Sequence, residues 1–208
     1  MDTVDTVEVV LLCGWSGSGK DFIADCFTHY GFSKLSFACE LKKIVAMKYN
    51  IPIEMTYTQE GKRQRVEGTE KTVRDLLIQE GQEIRSKKGT GYFAELVADL
   101  IKEKSLKRVI ISDWRFPIEL ETLQTIFNNE NARFHAIRIV HHKQHKSPVD
   151  DTYTENQLDR YPYMEIFENP GTFSSFPFLY SQIKFFLENT NIYIENLCGV
   201  EINAGIDK

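Results

Sequence analysis

The stretch Val7-Glu8-Val9-Val10-Leu11-Leu12-Cys13-Gly14-Trp15-Ser16-Gly17-Ser18-Gly19-Lys20-Asp21 decides how the rest of the chain is read. Its first seven residues are a near-continuous apolar run, the pattern of a buried strand. G-x-x-x-x-G-K follows, and Asp21 opens a helical pattern with Phe22, Ile23, Cys26 and Phe27 on one face. Strand, glycine-rich turn and helix together are the context in which this motif holds phosphate. The glycines let backbone N–H groups curl around an anion, and the helix N-terminus adds its partial positive charge. Lys20 supplies a mobile point charge for the outer phosphates. On this reading Gly14, Trp15, Ser16, Gly17, Ser18, Gly19, Lys20 and Asp21 contact ATP. The motif usually closes on a Ser or Thr that ligates Mg²⁺. Asp21 stands there instead, a carboxylate that would hold the ion directly or through water.

Further along, strand and helix signals alternate. Phe32 to Phe37 reads as a second strand and Cys39 to Tyr49 as a helix. Residues 51–68 are polar, contain Pro52, Gly61 and the basic run Lys62-Arg63-Gln64-Arg65, and read as a mobile insertion or small lid. Thr72 with Asp75 three residues later is a capping signal ahead of a helix that points Val73, Leu76, Leu77 and Ile84 inward. Tyr92 to Ile101 is amphipathic, and Val109-Ile110-Ile111-Ser112-Asp113 is a third strand. Pro117 suits the first turn of a helix that buries Leu120 and Leu123. Phe134 to Val140 and Met164 to Phe167 read as the fourth and fifth strands, and Pro177 to Leu187 as a late helix. Asn191 to Ile194 stays open as an edge strand. The expectation is one domain over 1–208, of α/β class: a three-layer α/β/α fold with a five-stranded parallel sheet and a lid.

Ligands of such sheets sit at the carboxyl ends of the strands. Gly14 and Asp113 both lie there, so the sheet itself brings them together. Asp113 is a candidate anchor for metal or substrate, Trp114 a candidate substrate contact, and Arg115 a bidentate phosphate grip and catalytic charge beside Lys20 and Asp21. Lys42, Arg74 and Arg85 form a second basic set for an acceptor, because phosphoryl transfer is mostly positioning and charge neutralisation. Arg138 leaves the fourth strand toward a basic lid loop at 141–153, whose histidines lack a completing metal-ligand pattern. Guanine-nucleotide switching is set aside. No D-x-x-G occurs, and Asn156-Gln157-Leu158-Asp159 lacks the lysine of the base-reading motif.

Composition bounds the alternatives. At 208 residues and net charge −5, one sizeable core is expected and a general basic surface for a nucleic-acid polymer is not. Cys13, Cys26, Cys39 and Cys198 lie in or beside apolar runs and contain no C-x-x-C pair, so they read as buried thiols of a reducing compartment. With no basic leader and no apolar run near the roughly 20 residues of a membrane span, a cytoplasmic protein is expected. The sequence leaves homodimerisation open.

Gly17-Ser18-Gly19-Lys20-Asp21 with Ala24-Asp25, Leu41-Lys42, Val73-Arg74-Asp75-Leu76-Leu77 through Gly81 to Arg85, and Ile111-Ser112-Asp113-Trp114-Arg115-Phe116-Pro117 run in order along the chain. Ile137-Arg138-Ile139, Thr154-Glu155 and Glu168-Asn169-Pro170-Gly171-Thr172 continue them. Together these blocks resemble the deoxynucleoside monophosphate kinases of phages and large viruses, within the P-loop nucleoside monophosphate kinase fold. The resemblance implies ATP- and Mg²⁺-dependent phosphorylation of a small nucleotide. It implies Lys20 and Asp21 on the phosphates and metal, and Lys42, Arg74, Arg85, Asp113 and Arg115 facing the acceptor. Arg138 would belong to the lid, and Asn169 and Pro170 would border adenine. The GKD-Phe ending at Phe22, the Leu41-Lys42 block and the E-N-x-G loop are also similar to animal-type phosphomevalonate kinases. A small-metabolite kinase and a non-catalytic ATP switch therefore stay open as alternatives.

Overall fold

The computed structural model describes residues 6–142, 157–163, 165–172, 176–190 and 192. Five strands, β1 (Val7–Cys13), β2 (Ser33–Leu35), β3 (Arg108–Ile111), β4 (Ala132–His141) and β5 (Glu165–Asn169), form one sheet in the order β2-β3-β1-β4-β5. Every pairing is parallel, with β1 central: Val9 lies opposite Val109 on one side and Phe134 on the other. The connections from β1 and β4 leave toward opposite edges, so the carboxyl ends of these neighbours bound a crevice.

Strand periodicity divides β1 between two cores. Val7, Val9, Leu11 and Cys13 pack on the face covered by α2 (Cys39–Lys48), α4 (Val73–Lys88), α5 (Tyr92–Glu103) and α6 (Pro117–Ile126). Val10 and Leu12 face α1 (Lys20–Thr28) and the late helix α7 (Phe176–Asn189). Val9 to Leu12 are 0% exposed, which is why the run shows no alternation in sequence. The layers are thus α/β/α around a five-stranded parallel sheet, as the alternation of strand and helix signals implies.

The capping signal at Thr72 is realised in both directions. Its hydroxyl accepts from the Asp75 amide at 3.2 Å, and the Asp75 carboxylate accepts from the Thr72 amide at 2.9 Å. Residues 51–68, expected as a mobile insertion or small lid, hold regular structure. They contain a 3-10 turn at Ile53–Thr56 and the short helix α3 (Gln59–Arg63), with Thr56 0% exposed. Thr58 caps α3 by accepting from the Gly61 amide at 3.0 Å. A Cβ at Gly61 would sit 2.6 Å from the Met55 Cα and carbonyl oxygen, so only glycine permits this packing. The cysteine expectation also needs correction: Cys13 and Cys26 are buried, but Cys39 is exposed at the start of α2. Cys198, the lid loop beyond His142, and Asn191, Tyr193 and Ile194 lie outside the described residues. Among the described residues no helix is long and apolar enough to cross a membrane.

Candidate active site

Gly14 to Gly19 turn from β1 into α1 at the carboxyl edge of the sheet. Gly19, at φ +96°, precedes the first helical residue, a backbone state that L side chains rarely adopt. A Cβ there would also collide with the Asn169 side-chain amide, which donates to the Ser18 carbonyl at 2.9 Å. Asn169, at the end of β5, therefore braces the glycine loop from behind. Lys20 folds back over the loop: its Nζ donates to the Gly14 and Trp15 carbonyls at 2.6 and 2.8 Å and lies 3.5 Å from Ser18 Oγ.

Asp21 follows on the first turn of α1. Its Oδ1 accepts from the Ser112 hydroxyl at 2.8 Å and pairs with Lys34 at 3.4 Å, while 81% of the side chain stays exposed. Partial enclosure pushes this carboxyl up, but the Ser112 hydroxyl and Lys34 outweigh it and hold it below its usual range. Ser112 and Lys34 were not singled out in the sequence. Ser112 was within reach of that reading, since it adjoins Asp113 at the end of an apolar strand.

Asp113 acts chiefly as a brace. Its Oδ1 accepts from the Phe37 amide at 2.9 Å, and its Oδ2 from Ser36 Oγ at 2.6 Å and the Ala38 amide at 3.0 Å. Three of a carboxylate's roughly four acceptor positions are thus filled by the β2–α2 turn. A metal reading accordingly favours Asp21. Among the described residues there is no cluster of three metal-type side chains. Mg²⁺ fits that arrangement, because it is usually held by one or two carboxylates plus substrate phosphates and water. Asp21, with the Ser112 hydroxyl against it, is the donor set that would receive it.

A cavity of about 1270 Å³ opens beside the loop. Ser16, Gly17, Gly19, Lys20 and Asp21 line one side. Lys42, Arg74, Arg85, Asp113 and Arg115 line it too, so the sheet gathers basic residues from α2, α4 and the β3–α6 connection. Arg74 donates to Gln59 Oε1 at 2.7 Å, Lys42 sits 4.3 Å over the Tyr57 ring, and Arg85 lies 3.5 Å from Glu119 Oε1 and 4.4 Å over the Phe116 ring. Glu119 is 2% exposed and also accepts from the Arg115 and Phe116 amides, both at 3.1 Å. Desolvation pushes its carboxyl up to about 7 against the pull of those amides and Arg85. Burial lowers the Arg85 guanidinium, and Glu119 beside it pulls the other way.

The segment read as an insertion contributes Tyr57, Gln59 and Lys62 to this cavity. Desolvation, then Lys42, Arg115 and Arg74, pushes Lys62 down to about 8, with Asp21 pulling the other way. In sequence Lys62 was one of three cations in a basic run, a pattern that normally marks a solvated surface.

Three expected contacts, Trp114, Arg138 and Pro170, lie outside the main cavity. Trp114 is 1% exposed, donates its indole N–H to the Phe116 carbonyl at 2.8 Å and meets the Tyr161 ring edge-on at 4.9 Å, so it is a core residue and not an acceptor contact. Arg138 lines a smaller hollow behind the loop with Gly14 and Trp15. There it donates to the Leu158 carbonyl at 3.2 Å, Tyr163 Oη at 3.1 Å and Asp159 Oδ1 at 3.0 Å. Pro170 follows β5 and does not line the main cavity.

Compared by sequence, the chain matches no protein-family model and no curated protein. Among solved structures it is similar to dephospho-CoA kinase from Campylobacter jejuni, at 12% identity over 89% of this chain and 100% of that chain, TM-score 0.47. It is similar to shikimate kinase from Aquifex aeolicus at 12% identity over 88% and 98%, TM-score 0.44. A gluconokinase from Sinorhizobium meliloti is similar at 11% identity over 89% and 96%, TM-score 0.44. At such identities and scores these likenesses leave function to the geometry of the cavity.

Proposed function

We propose that the protein transfers the γ-phosphoryl group of ATP to the phosphate of a small phosphorylated acceptor, a deoxynucleoside monophosphate, giving ADP and a diphosphate. The observation that carries this reading is one cavity lined on one side by the glycine loop with Lys20 and on another by Lys42, Arg74 and Arg115. Two anion-holding surfaces across one space are what in-line transfer between phosphates needs. Lys20 leaves the loop carbonyls for the outer phosphates of the nucleotide, Arg115 and Arg74 hold the acceptor, and their charges neutralise what develops on the transferred group. Bound Mg²⁺ would supply Lewis-acid charge at Asp21. No general base is required, because a phosphate monoester is already ionised near neutral pH. The sequence resemblance to deoxynucleoside monophosphate kinases favours a nucleotide over an aliphatic acceptor; Tyr57 and Phe116, each with one ring face taken by Lys42 and Arg85, add aromatic surface to the cavity wall.

The test is ADP release from ATP and Mg²⁺ across a panel of deoxynucleoside monophosphates, ribonucleotides and phosphomevalonate. Deoxynucleotide-dependent ADP release is expected, and Lys20→Ala should lower turnover at least about 10²-fold with the fold intact. Phosphomevalonate as the sole productive acceptor would move the assignment to a metabolite kinase. ATP binding with no acceptor-dependent ADP would identify a nucleotide-binding switch, and near-normal turnover in Lys20→Ala would discredit the assigned loop.

A further inference from the structure

We propose that Lys62, carried into the cavity by the segment Ile53–Arg63, is a ligand for the phosphoryl group of the acceptor. The inference rests on the reading of this cavity as the acceptor side of a phosphotransferase and adds a residue, and a whole wall, to it.

The wall is built, not draped. Thr56 Oγ1 donates to the Ile53 carbonyl at 2.6 Å, Thr58 caps α3, and Gly61 lies against the Met55 backbone too closely for any side chain. Gln59 then ties the segment to both sides of the cavity. Its Nε2 donates to Ser16 Oγ in the glycine loop at 3.2 Å, and its Oε1 accepts from Arg74 at 2.7 Å. Lys62 is thereby held in a half-buried position lining the cavity, where a lysine in the last turn of a five-residue helix would otherwise extend into water.

The groups that act on Lys62 come from every neighbouring element: Lys42 on α2, Arg74 on α4, Arg115 on the β3–α6 connection and Asp21 on α1. The cavity as a whole is lined by seven lysines and arginines (Lys20, Lys34, Lys42, Lys62, Arg74, Arg85 and Arg115) against three carboxylates (Asp21, Asp113 and Glu121), an excess that an entering anion relieves. A phosphomonoester dianion is the ligand whose charge and three acceptor oxygens match these cations. Lys62 is the member of the set that yields its proton, with desolvation, Lys42, Arg115 and Arg74 holding it at about 8. A bound dianion reverses the balance, so acceptor binding above pH 8 brings a proton with it, and the acceptor KM rises with pH there.

The direct test is ¹³C reductive methylation of the intact protein and NMR titration, with the Lys62 resonance assigned by its loss in Lys62→Arg. Inorganic sulfate serves as the anion, because it has no proton to exchange in this range. Titration near pH 8 without sulfate, moving up by about one pH unit or more with it, is expected. Titration in the ordinary lysine range near pH 10.4, or indifference to sulfate, overturns the proposal. In kinetics, Lys62→Met should raise the acceptor KM about tenfold or more while the ATP KM stays put, and Lys62→Arg should restore binding and flatten the rise above pH 8. An unchanged acceptor KM in Lys62→Met, or a pH rise that survives in Lys62→Arg, counts against it. A sulfate-responsive Lys62 with no transfer to any acceptor keeps this site and removes the phosphotransferase reading. Transfer with an unresponsive Lys62 does the opposite.

Discussion

Replacing Lys62 with Met keeps most of the length of the side chain and deletes its charge, and the effect on the empty protein can be worked out from its surroundings. The ordinary lysine value of 10.5 falls to about 8 in the cavity, so the folded chain binds fewer protons than the unfolded chain between those two values. Stability therefore rises with pH across that window, and the destabilisation is present in full below pH 8. At about 1.4 kcal/mol for each tenfold change in proton affinity, the fall corresponds to about 3 kcal/mol. Solvent screening of a partly exposed ammonium reduces this to about 1–2 kcal/mol. For a domain of this size that is about 3–6 °C in melting temperature. Thermal melts of the wild-type protein and Lys62→Met at pH 7 and pH 10 read the effect. Met should melt higher by that margin at pH 7, and the gap should shrink to about a quarter of it at pH 10. Sulfate should narrow the gap at pH 7, because it stabilises the wild type more. A variant that melts no higher than wild type at pH 7, or a gap that is equal at both pH values, would refute the electrostatic account.

Asp113→Asn should loosen the β2–α2 turn, since an amide nitrogen cannot accept from both Ser36 and Ala38. A loss of about 1–3 kcal/mol in urea melts, with a raised acceptor KM, is expected. Gly19→Ala meets the Asn169 amide and a φ of +96°, so titration with a non-hydrolysable ATP analogue should show binding weakened about tenfold or more. Adding Asn169→Gly relieves the collision but not the backbone strain, so recovery should be partial; full recovery would mean that the left-handed conformation is immaterial. Glu119, raised from 4.5 to about 7, makes the folded chain the tighter proton binder between those values. Its contribution is present in acid and is lost as pH rises through 7, so Glu119→Gln should remove about 2 kcal/mol from the stability difference between pH 5 and pH 7.

The sheet was legible because its signals are local. The apolar run before Gly14, the Thr72/Asp75 cap and the strand ending at Asp113 each carry their structural cause within a few residues. The glycine loop, Lys42, Arg74 and Arg115 could be placed at one site by the rule that such sheets bind at their carboxyl edge. What escaped depends on partners distant in sequence. Asp113 meets Ser36 to Ala38 across more than seventy residues, which no motif around Asp113 announces. A five-residue helix such as α3 is too short to show periodicity, so 51–68 reads by composition as a mobile insertion or small lid, and nothing local marks Lys62 out from the basic run around it. Trp114 sits between two residues that line the cavity, and adjacency in sequence suggested a shared role that its burial against Tyr161 contradicts.

The embrace of Lys20 by its own loop also bears on selectivity. With its ammonium already held by the Gly14 and Trp15 carbonyls, an entering anion gains only the difference between two satisfied states. A single orthophosphate has little to offer in that exchange, whereas a chain of phosphates reaches the lysine and the backbone amides at once. On the proposed reading, the same latch would keep the ammonium tethered between turnovers, ready at the lip of the cradle for the next donor.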